Sequence, residues 1–268
     1  MLDKCGGDCQ AGQSNGEGQD RVARLAIDVT LRDGFALLRR DWPLTLSIAA
    51  IFCFLPSFIY FGFVPFSAGP DVANTAEADY VASLLFAGIA VPMLVLGTFN
   101  FIGMLMIIRV WFQPVGGYVA DALRYGVVLL PVAVAAHLLI SSASLLGMML
   151  LLIPGFYIIA RTLLILPALA DEPQTSPFAA WREGWKLSNG NVIPLLLLAI
   201  MMGMLTLSVA VMLAFVDGSF AAEGPVAPTL LIGISNGLTS VISGMLNAAI
   251  AAAAYRHLRI PGAREIFS

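Results

Sequence analysis

The sequence predicts an all-α integral membrane protein, and three observations lead to that prediction. Hydrophobic residues fill 59% of the 268 positions and charged residues only 12%, whereas soluble domains are nearer ~25% charged and ~45–50% apolar. The mean hydropathy is +0.88. Charges are also rare over long stretches, since Arg161 is the only charged residue between Tyr125 and Ala170. Apolar stretches of this length, with charges at their borders, are typical of bilayer-crossing helices.

Six transmembrane helices, paired as three helical hairpins, account for these stretches within a membrane domain at 42–260. We place the spans at 43–64, 80–108, 126–150, 151–170, 192–215 and 229–255, because ~20 residues cross ~30 Å of hydrocarbon. The stretch 126–170 is too long for one span and just long enough for two, with Pro154 and Gly155 as the expected breaker. Five and seven spans are the alternatives.

The segments outside the membrane domain are polar or amphipathic. Residues 1–20 are glycine-rich and lack aromatic and β-branched residues, which predicts a disordered cytoplasmic tail. Residues 21–41 predict an amphipathic interfacial helix whose apolar face is Ile27, Leu31, Phe35 and Leu38, although Gly34 interrupts it; a solvated linker is the alternative. Residues 261–268 form a second predicted cytoplasmic tail.

The distribution of Lys and Arg predicts the orientation in the cell (inner) membrane. In the loops on one predicted side, all charged residues are acidic, namely Asp71, Glu77, Asp79, Asp217 and Glu223. The basic residues that border the spans all fall on the other side, namely Arg21, Arg24, Arg32, Arg39, Arg40, Arg109, Arg124, Arg182, Lys186, Arg256, Arg259 and Arg264. Since cytoplasmic loops carry the excess of Lys and Arg, both termini are predicted to be cytoplasmic.

A weak internal repeat precedes the odd-numbered spans. The three segments are FALLRRDWP (35–43), LRYGVVLLP (123–131) and KLSNGNVIP (186–194), and each ends in a proline that is expected to open a span. Each follows an amphipathic stretch. In the third copy, Ser176 is a predicted N-cap before Pro177. The predicted interfacial residues of that copy are Trp181, Trp185, Arg182 and Lys186.

Polar residues inside the spans are candidate functional residues, namely Arg161, His137, Asn100 and Tyr157. Arg161 and His137 are expected at similar depth near the bilayer middle, where a charged group is costly and needs partners. One reading is structural, with Arg161 bonding backbone carbonyls freed by Pro154 or Pro167. The other is an anion or lipid-phosphate contact of Arg161, assisted by a neutral His137.

The sixth predicted span carries small residues at every third or fourth position, which let helix backbones approach closely. They are Gly233, Gly237, Ser240, Gly244 and Ala248. Two interpretations are open: packing within one chain, or the seam of a homo-oligomer.

The segment LLLIPGFYIIARTLLILPALADEPQTSPFAAWREGWKLSNGNVIPLL (150–196) resembles a bacterial membrane-domain family. The matching residues are Ile153, Pro154, Gly155, Tyr157, Arg161, Pro167, Glu172, Ala180, Trp185, Lys186, Leu187, Gly190 and Asn191, while Gly184 departs from the serine that is common there. The family is the multi-span domain associated with glycerophosphoryl diester phosphodiesterases, together with related uncharacterised six-span inner-membrane proteins. The resemblance implies a six-span membrane domain. It does not imply phosphodiesterase activity, which belongs to a separate soluble barrel in those fusions.

The residues of this chain predict no enzyme, cofactor or metal centre. No Glu or Asp cluster with His has metal-ligand spacing, and neither a phosphate-binding loop nor a nucleophile elbow occurs. A pI near 5.3 argues against nucleic-acid binding. The first hypothesis is a non-enzymatic protein that organises or assists envelope components through contacts with membrane lipids. The alternatives are a transporter or permease for a small or lipidic anionic solute, and an intramembrane enzyme.

Overall fold

The computed structural model describes residues 25–63, 91–112, 119–150, 152–171, 176–220 and 227–259. This part of the chain is helical almost throughout and contains no strand. Five of its helical segments are long and apolar enough to cross a membrane, namely Trp42–Phe63, Val91–Phe112, Gly126–Gly147, Val192–Phe215 and Leu230–Arg259. The all-helical class is therefore confirmed for these residues, with five candidate spans. The predicted tails at 1–20 and 261–268 and the first part of the second predicted span, 80–90, lie outside the described residues.

The helices follow one another with few described residues between them. In chain order they are α1 (Ile27–Arg40), α2 (Trp42–Ala49), a π-helix (Ala50–Phe54), α3 (Leu55–Phe63), α4 (Val91–Phe112), α5 (Val119–Leu150), α6 (Leu152–Thr162), α7 (Ile165–Asp171), α8 (Pro177–Leu187), α9 (Val192–Phe220) and α10 (Ala227–Arg259). The first predicted span corresponds to α2, the π-helix and α3 together, and the last two predicted spans correspond to α9 and α10.

Helix α10 forms the centre of the bundle. It is 33 residues long and contacts α1, α2, the π-helix, α3, α4, α7, α8 and α9. Every residue from Ala248 to Tyr255 is buried. Six of these eight residues are alanine, whose small side chain lets neighbouring helix backbones come close. This explains how so many helices can surround a single one.

Helix α1 packs against the buried half of α10 through a face that overlaps the expected one only in part. Ile27, Leu31 and Leu38 of the expected apolar face are partly buried against the core, whereas Phe35 is exposed. The fully buried residues are Thr30, Gly34 and Leu37. A Cβ on Gly34 would lie 3.4 Å from the backbone carbonyl of Ala249. Gly34 is thus the point of closest approach between the two helices, and it does not interrupt α1.

The first apolar segment widens into a π-helix at its middle. The Leu55 N–H bonds the carbonyl of Ala50, five residues earlier, and Pro56 has no N–H to offer to the carbonyl of Phe52. The widened turn presses against α4, because a Cβ on Gly103 would lie 2.8 Å from the Cβ of Phe52. A mid-helix proline is therefore accommodated by a local change of helix type.

The fourth predicted span, 151–170, is not one continuous helix. It consists of α6 and α7, with a break at Leu163 and Leu164. Pro167 explains the position of the break, because its ring clashes with the carbonyl four residues earlier and it has no N–H to bond that carbonyl, which belongs to Leu163. Helix α6 packs against α5, as expected for consecutive segments, while α7 packs against α4 and α8.

The prolines that end the three repeat segments occupy different structural positions. Pro43 lies at the start of α2 and Pro194 in the first turn of α9, as expected. Pro131 lies inside the 32-residue helix α5, which already begins at Val119. Proline is tolerated inside a membrane helix when the freed backbone groups find other partners. In the middle copy the proline therefore does not open a new helix, and the residues directly before Val119 lie outside the described ranges.

Candidate functional site: the arginine-rich end of the bundle

Three helices end close together at one end of the bundle, and two of them carry arginines in their last turns. Helix α4 ends at Phe112 and contains Arg109, and α10 ends at Arg259 and also contains Arg256. Helix α7 ends beside them at Asp171. The last turn of a helix exposes unpaired carbonyls and partial negative charge, so guanidinium groups stabilise it. We call this region the arginine-rich end.

Two of these arginines tie neighbouring helix ends together. Arg109 Nη1 donates to the carbonyl of Ala170 at 3.1 Å, which joins α4 to α7. Arg256 Nη2 donates to the carbonyl of Trp111 at 2.6 Å, which joins α10 to α4. The Arg256 guanidinium also lies over the Phe112 ring, 5.2 Å from its centre. Both bonds go to carbonyls in the final turns of their helices, where intrahelical partners are missing.

The third arginine takes part in a small polar network. Arg259 forms an ion pair with Asp171, and its Nη1 donates to the Tyr255 hydroxyl at 2.9 Å. That hydroxyl donates to Oδ2 of Asp171 at 3.2 Å. The Tyr255 ring stacks on Phe112 with centres 5.9 Å apart, and Tyr255 is only 3% exposed. Tyr255 is therefore held in the core, while Asp171 and Arg259 are partly exposed.

These side chains surround a cavity of about 320 Å³. Its lining consists of Phe112, Asp171, Tyr255, Arg256 and Arg259. Two guanidinium groups against one carboxylate give the lining a surplus of one positive charge. Guanidinium groups present forked N–H donors that match the oxygens of carboxylates and phosphates. The arrangement is suited to binding an anion. Within the described ranges, no group of three or more His, Cys, Asp or Glu residues could hold a metal ion.

Arg161, the candidate intramembrane cation, lies elsewhere, between α6 and α8. It is only 8% exposed. Its Nη1 donates to the carbonyl of Trp185 at 3.4 Å. Its guanidinium carbon lies 4.3 Å from the centre of the Trp185 ring and 4.9 Å from that of Tyr157. Arg161 thus bonds a carbonyl of α8 and not one freed by Pro154 or Pro167.

The structure does not place His137 with Arg161. Nε2 of His137 is 3.4 Å from the Ser141 hydroxyl, and its ring centre is 5.4 Å from that of Phe101. A Cβ on Gly97 would lie 2.9 Å from the same nitrogen. The contacts of His137 are therefore on α4 and α5, those of Arg161 are on α6 and α8, and no residue belongs to both sets.

Asn100 occupies a third location. A Cβ on Gly244 would lie 3.2 Å from Oδ1 of Asn100 and 3.1 Å from Sγ of Cys53. Asn100 therefore lies where α4, α10 and the π-helix meet. Of the four candidate intramembrane residues, only Arg161 and Tyr157 are brought together.

Helix α8, which the sequence predicts to be interfacial, is attached to the bundle by several contacts. Its predicted N-cap is confirmed, since the Ser176 hydroxyl accepts a hydrogen bond from the Ala179 N–H at 3.2 Å. Trp181 and Trp185 stack with ring centres 6.0 Å apart. A Cβ on Gly184 would lie 3.1 Å from the backbone nitrogen of Ile165, so glycine permits α8 to approach the start of α7. The departure at Gly184 therefore has a packing reason.

The opposite side of α8 faces outwards and combines charge with an aromatic ring. Arg182, Glu183 and Lys186 are exposed, and Phe178 is 72% exposed. This surface is amphipathic in composition, and its backbone is fixed by the contacts of Gly184 and Trp185. An amphipathic helix of this kind is suited to a membrane interface.

The turn after α8 explains two further residues of the resembling segment. Gly190 has φ +80°, a conformation that glycine adopts without strain. Asn191 is buried, and its Oδ1 accepts a hydrogen bond from the Leu25 N–H at 2.9 Å. The turn therefore anchors the residue that precedes α1, which is a structural role.

The small residues of α10 contact the first apolar segment of the same chain. A Cβ on Gly233 would lie 2.8 Å from Cα of Gly62, and one on Gly237 would lie 2.6 Å from the Phe54 ring. The hydroxyls of Ser240 and Ser57 are 2.9 Å apart. Further along the helix, Gly244 faces Cys53 and Asn100, and Ala248 is fully buried. These contacts are intramolecular, which favours packing within one chain over a homo-oligomer seam on this face.

Comparison with protein-family models, with curated proteins and with solved structures finds no match to this chain. The resemblance of residues 150–196 to the membrane-domain family therefore stays a prediction.

Sequence reasoning treated the arginine-rich end only as an indicator of orientation. Arg109, Arg256 and Arg259 counted as cytoplasmic charges, and Asp171, which ends α7 and pairs with Arg259, was not among the candidate residues. A local signal was present, because Tyr255 and Arg259 are four residues apart and share one helix face. Their meeting with Asp171, 84 residues away from Tyr255 in sequence, depends on the tertiary fold.

Proposed function

We propose that this chain is a non-enzymatic, six-span protein of a bacterial inner membrane that binds anionic membrane lipids and so organises or assists envelope components. The observation that supports this most directly is α8, an amphipathic helix that is docked on the bundle and directs Arg182, Lys186 and Phe178 outwards. Aromatic and basic residues on one helix bind the headgroup layer through apolar burial and attraction to anionic lipid. Because α8 is already fixed, lipid binding does not have to order it first.

The path of α5, α6 and α7 supports the sixth span. Helix α5 begins its apolar part beside α4, where a Cβ on Gly126 would meet the side chain of Met106. At the other end of α5, a Cβ on Gly147 would lie 3.1 Å from Cα of Gly155 in α6. Helix α7 then ends at the arginine-rich end, where Ala170 accepts from Arg109. Helix α6 thus runs back along α5, and α7 continues along α4. The ~20 residues of 152–171 suffice for ~30 Å of hydrocarbon if α6 and α7 cross together.

The arginine-rich end supports a cytoplasmic location for this side of the protein. Arg109, Arg256 and Arg259 converge there, as expected for the side that carries the excess of Lys and Arg. The cytoplasmic leaflet also carries the anionic lipids that attract such residues. Both chain termini would then be cytoplasmic.

Transport of an anionic solute is the alternative that the sequence leaves open. It would be favoured by a water-lined cavity that reaches Arg161. Arg161 is instead enclosed by Tyr157 and Trp185, and the cavity at the arginine-rich end is lined by other residues. The enclosure of Arg161, which is only 8% exposed, argues against an aqueous route past this residue.

The test compares how the purified protein binds phosphatidylglycerol and phosphatidylcholine, by native mass spectrometry from detergent. Wild-type protein is expected to retain phosphatidylglycerol preferentially. The double variant Arg182→Gln/Lys186→Gln should bind phosphatidylglycerol about 30-fold more weakly, because each basic residue near an anionic surface contributes ~1 kcal/mol. The matched control Arg182→Lys/Lys186→Arg keeps both charges and should bind like wild type. Equal retention of the two lipids by wild-type protein would refute the proposal.

A further inference from the structure

We propose that the cavity at the arginine-rich end binds the phosphodiester group of a phospholipid headgroup whose net charge is −1, with Arg256 as its main donor. This inference rests on the proposed lipid-binding function and names the group that is bound and its site. The site is separate from the outward surface of α8, since its lining comes from α4, α7 and α10.

The charges of the lining select for a single negative charge. Arg259 is paired with Asp171. Within the described part of the chain, no carboxylate lies within ion-pair distance of Arg256. Outside the lining, Asp33 and Arg40 act on the Arg256 charge with opposite signs. The lining therefore has one positive charge that its own residues do not balance, and a headgroup with a net charge of −1 would balance it. A zwitterionic headgroup would leave that charge uncompensated.

The donors are held in place before any ligand arrives. The bond from Nη2 of Arg256 to the Trp111 carbonyl and the Phe112 ring beneath the guanidinium restrict the orientation of this side chain. A guanidinium has five N–H donors, so one bond to a carbonyl leaves others for phosphate oxygens. Opposite, Arg259 is paired with Asp171 and donates to the Tyr255 hydroxyl. That hydroxyl gives its only proton to Asp171, so the remaining donors on this side belong to Arg259. A pre-ordered set of donors binds an anion with a small entropic loss.

The depth of the cavity suits a headgroup. Arg256 lies 26 residues after Leu230, where the last candidate span begins, which is ~39 Å along a helix that rises ~1.5 Å per residue. This exceeds the ~30 Å of hydrocarbon and places Arg256 near the polar layer. The cavity of about 320 Å³ is at the small end of the ~300–1,000 Å³ range of ligand pockets. It would hold a headgroup while the acyl chains remain in the bilayer.

The experiment measures binding of short-chain phosphatidylglycerol to the full-length protein in detergent, and uses short-chain phosphatidylcholine, glycerol 3-phosphate and inorganic phosphate as comparison ligands. Arg256→Gln should weaken phosphatidylglycerol binding at least tenfold. Arg256→Lys, which keeps the charge but not the forked donors, should weaken it about threefold. The matched control Arg124→Gln removes the same charge from an exposed position of α5, outside both the cavity and the outward surface of α8, and should weaken binding less than twofold. The folded fraction of each variant is measured by size-exclusion chromatography, and Arg256→Lys decides the outcome if Arg256→Gln does not fold.

Three results would overturn the inference, and each differs from a failure of the proposed function. Equal weakening of binding by Arg256→Gln and Arg124→Gln would indicate diffuse surface attraction without a defined site. The ligand would be a soluble phosphate if glycerol 3-phosphate or inorganic phosphate bound as tightly as phosphatidylglycerol and with the same dependence on Arg256. Unchanged phosphatidylglycerol binding by both Arg256 variants would exclude this cavity. If wild-type protein does not prefer phosphatidylglycerol over phosphatidylcholine at all, the proposed function itself fails.

Discussion

Replacing Arg161 is expected to loosen α8 from the bundle. The guanidinium lies against the rings of Tyr157 and Trp185 and donates to the Trp185 carbonyl at 3.4 Å. Arg161→Gln removes both ring contacts and keeps at best a weak amide bond. The change should therefore raise the frequency with which α8 detaches, while the rest of the fold is retained.

The size of the effect follows from these contacts. A partly desolvated cation–π contact contributes ~1 kcal/mol, so the two rings together contribute ~2 kcal/mol. The hydrogen bond is long and adds less than ~1 kcal/mol. The variant has no buried charge, so it avoids the desolvation cost of the guanidinium, and this offsets part of the lost stability. A net loss of ~2 kcal/mol corresponds to about 30-fold more frequent local opening. Arg161→Lys keeps the cation without the planar stacking group and should lose about half of that free energy.

The assay is hydrogen exchange of the α8 amides in detergent, read by mass spectrometry. Peptides covering 177–187 should exchange about 30-fold faster in Arg161→Gln, and those of the buried half of α10 should not change. Arg182→Gln is the matched control, since it removes the same charge from an exposed position of α8. Unchanged exchange of α8 in Arg161→Gln would show that the ring contacts do not hold this helix, and equal acceleration in α10 would show a global loss of stability instead.

Two further predictions concern packing and topology. Gly184→Ala should lower the free energy of unfolding by ~1–3 kcal/mol in denaturant, because the added Cβ meets the backbone of Ile165 at 3.1 Å. The control is Gly203→Ala, whose Cβ meets nothing within 4 Å, and it should be neutral or slightly stabilising. Equal losses of stability in the two variants would refute the packing argument. In a cysteine-free background, Glu183→Cys should react with an impermeant thiol reagent only from the cytoplasm and Ala222→Cys only from outside, and labelling of Glu183→Cys from outside would exclude six spans.

The long apolar helices could be predicted from the sequence because the bilayer imposes a composition rule. The segments Trp42–Phe63, Val192–Phe215 and Leu230–Arg259 have bounds close to those expected from hydropathy alone. Local exceptions were harder to predict. Proline is expected both at a helix start and at a break, and only packing decides that Pro131 stays inside a helix while Pro167 breaks one.

Which face of a helix is buried could not be read from hydrophobicity where lipid, headgroups and protein compete for apolar side chains. On α1 the bundle takes Thr30, Gly34 and Leu37 because α10 needs a close approach there, and Phe35 is left outwards. The cavity at the arginine-rich end could not be predicted from the sequence either. Its lining combines residues from three helices, and no spacing in the sequence indicates that Asp171 meets Tyr255.

The two arginines that matter most differ in what surrounds them, and the difference separates stability from binding. Arg161 is enclosed by rings of its own chain, so a ligand could reach it only after α8 has moved. Arg256 is held by a carbonyl and a ring on one side and lines a cavity on the other. Substitution of Arg161 should therefore change the exchange of α8 without a matching loss of lipid affinity. Substitution of Arg256 should reduce lipid affinity with little effect on α8. If each substitution changed both the exchange of α8 and the lipid affinity, the arginine-rich end and α8 would behave as one unit. The assignment of a structural role to Arg161 and a binding role to Arg256 would then be wrong.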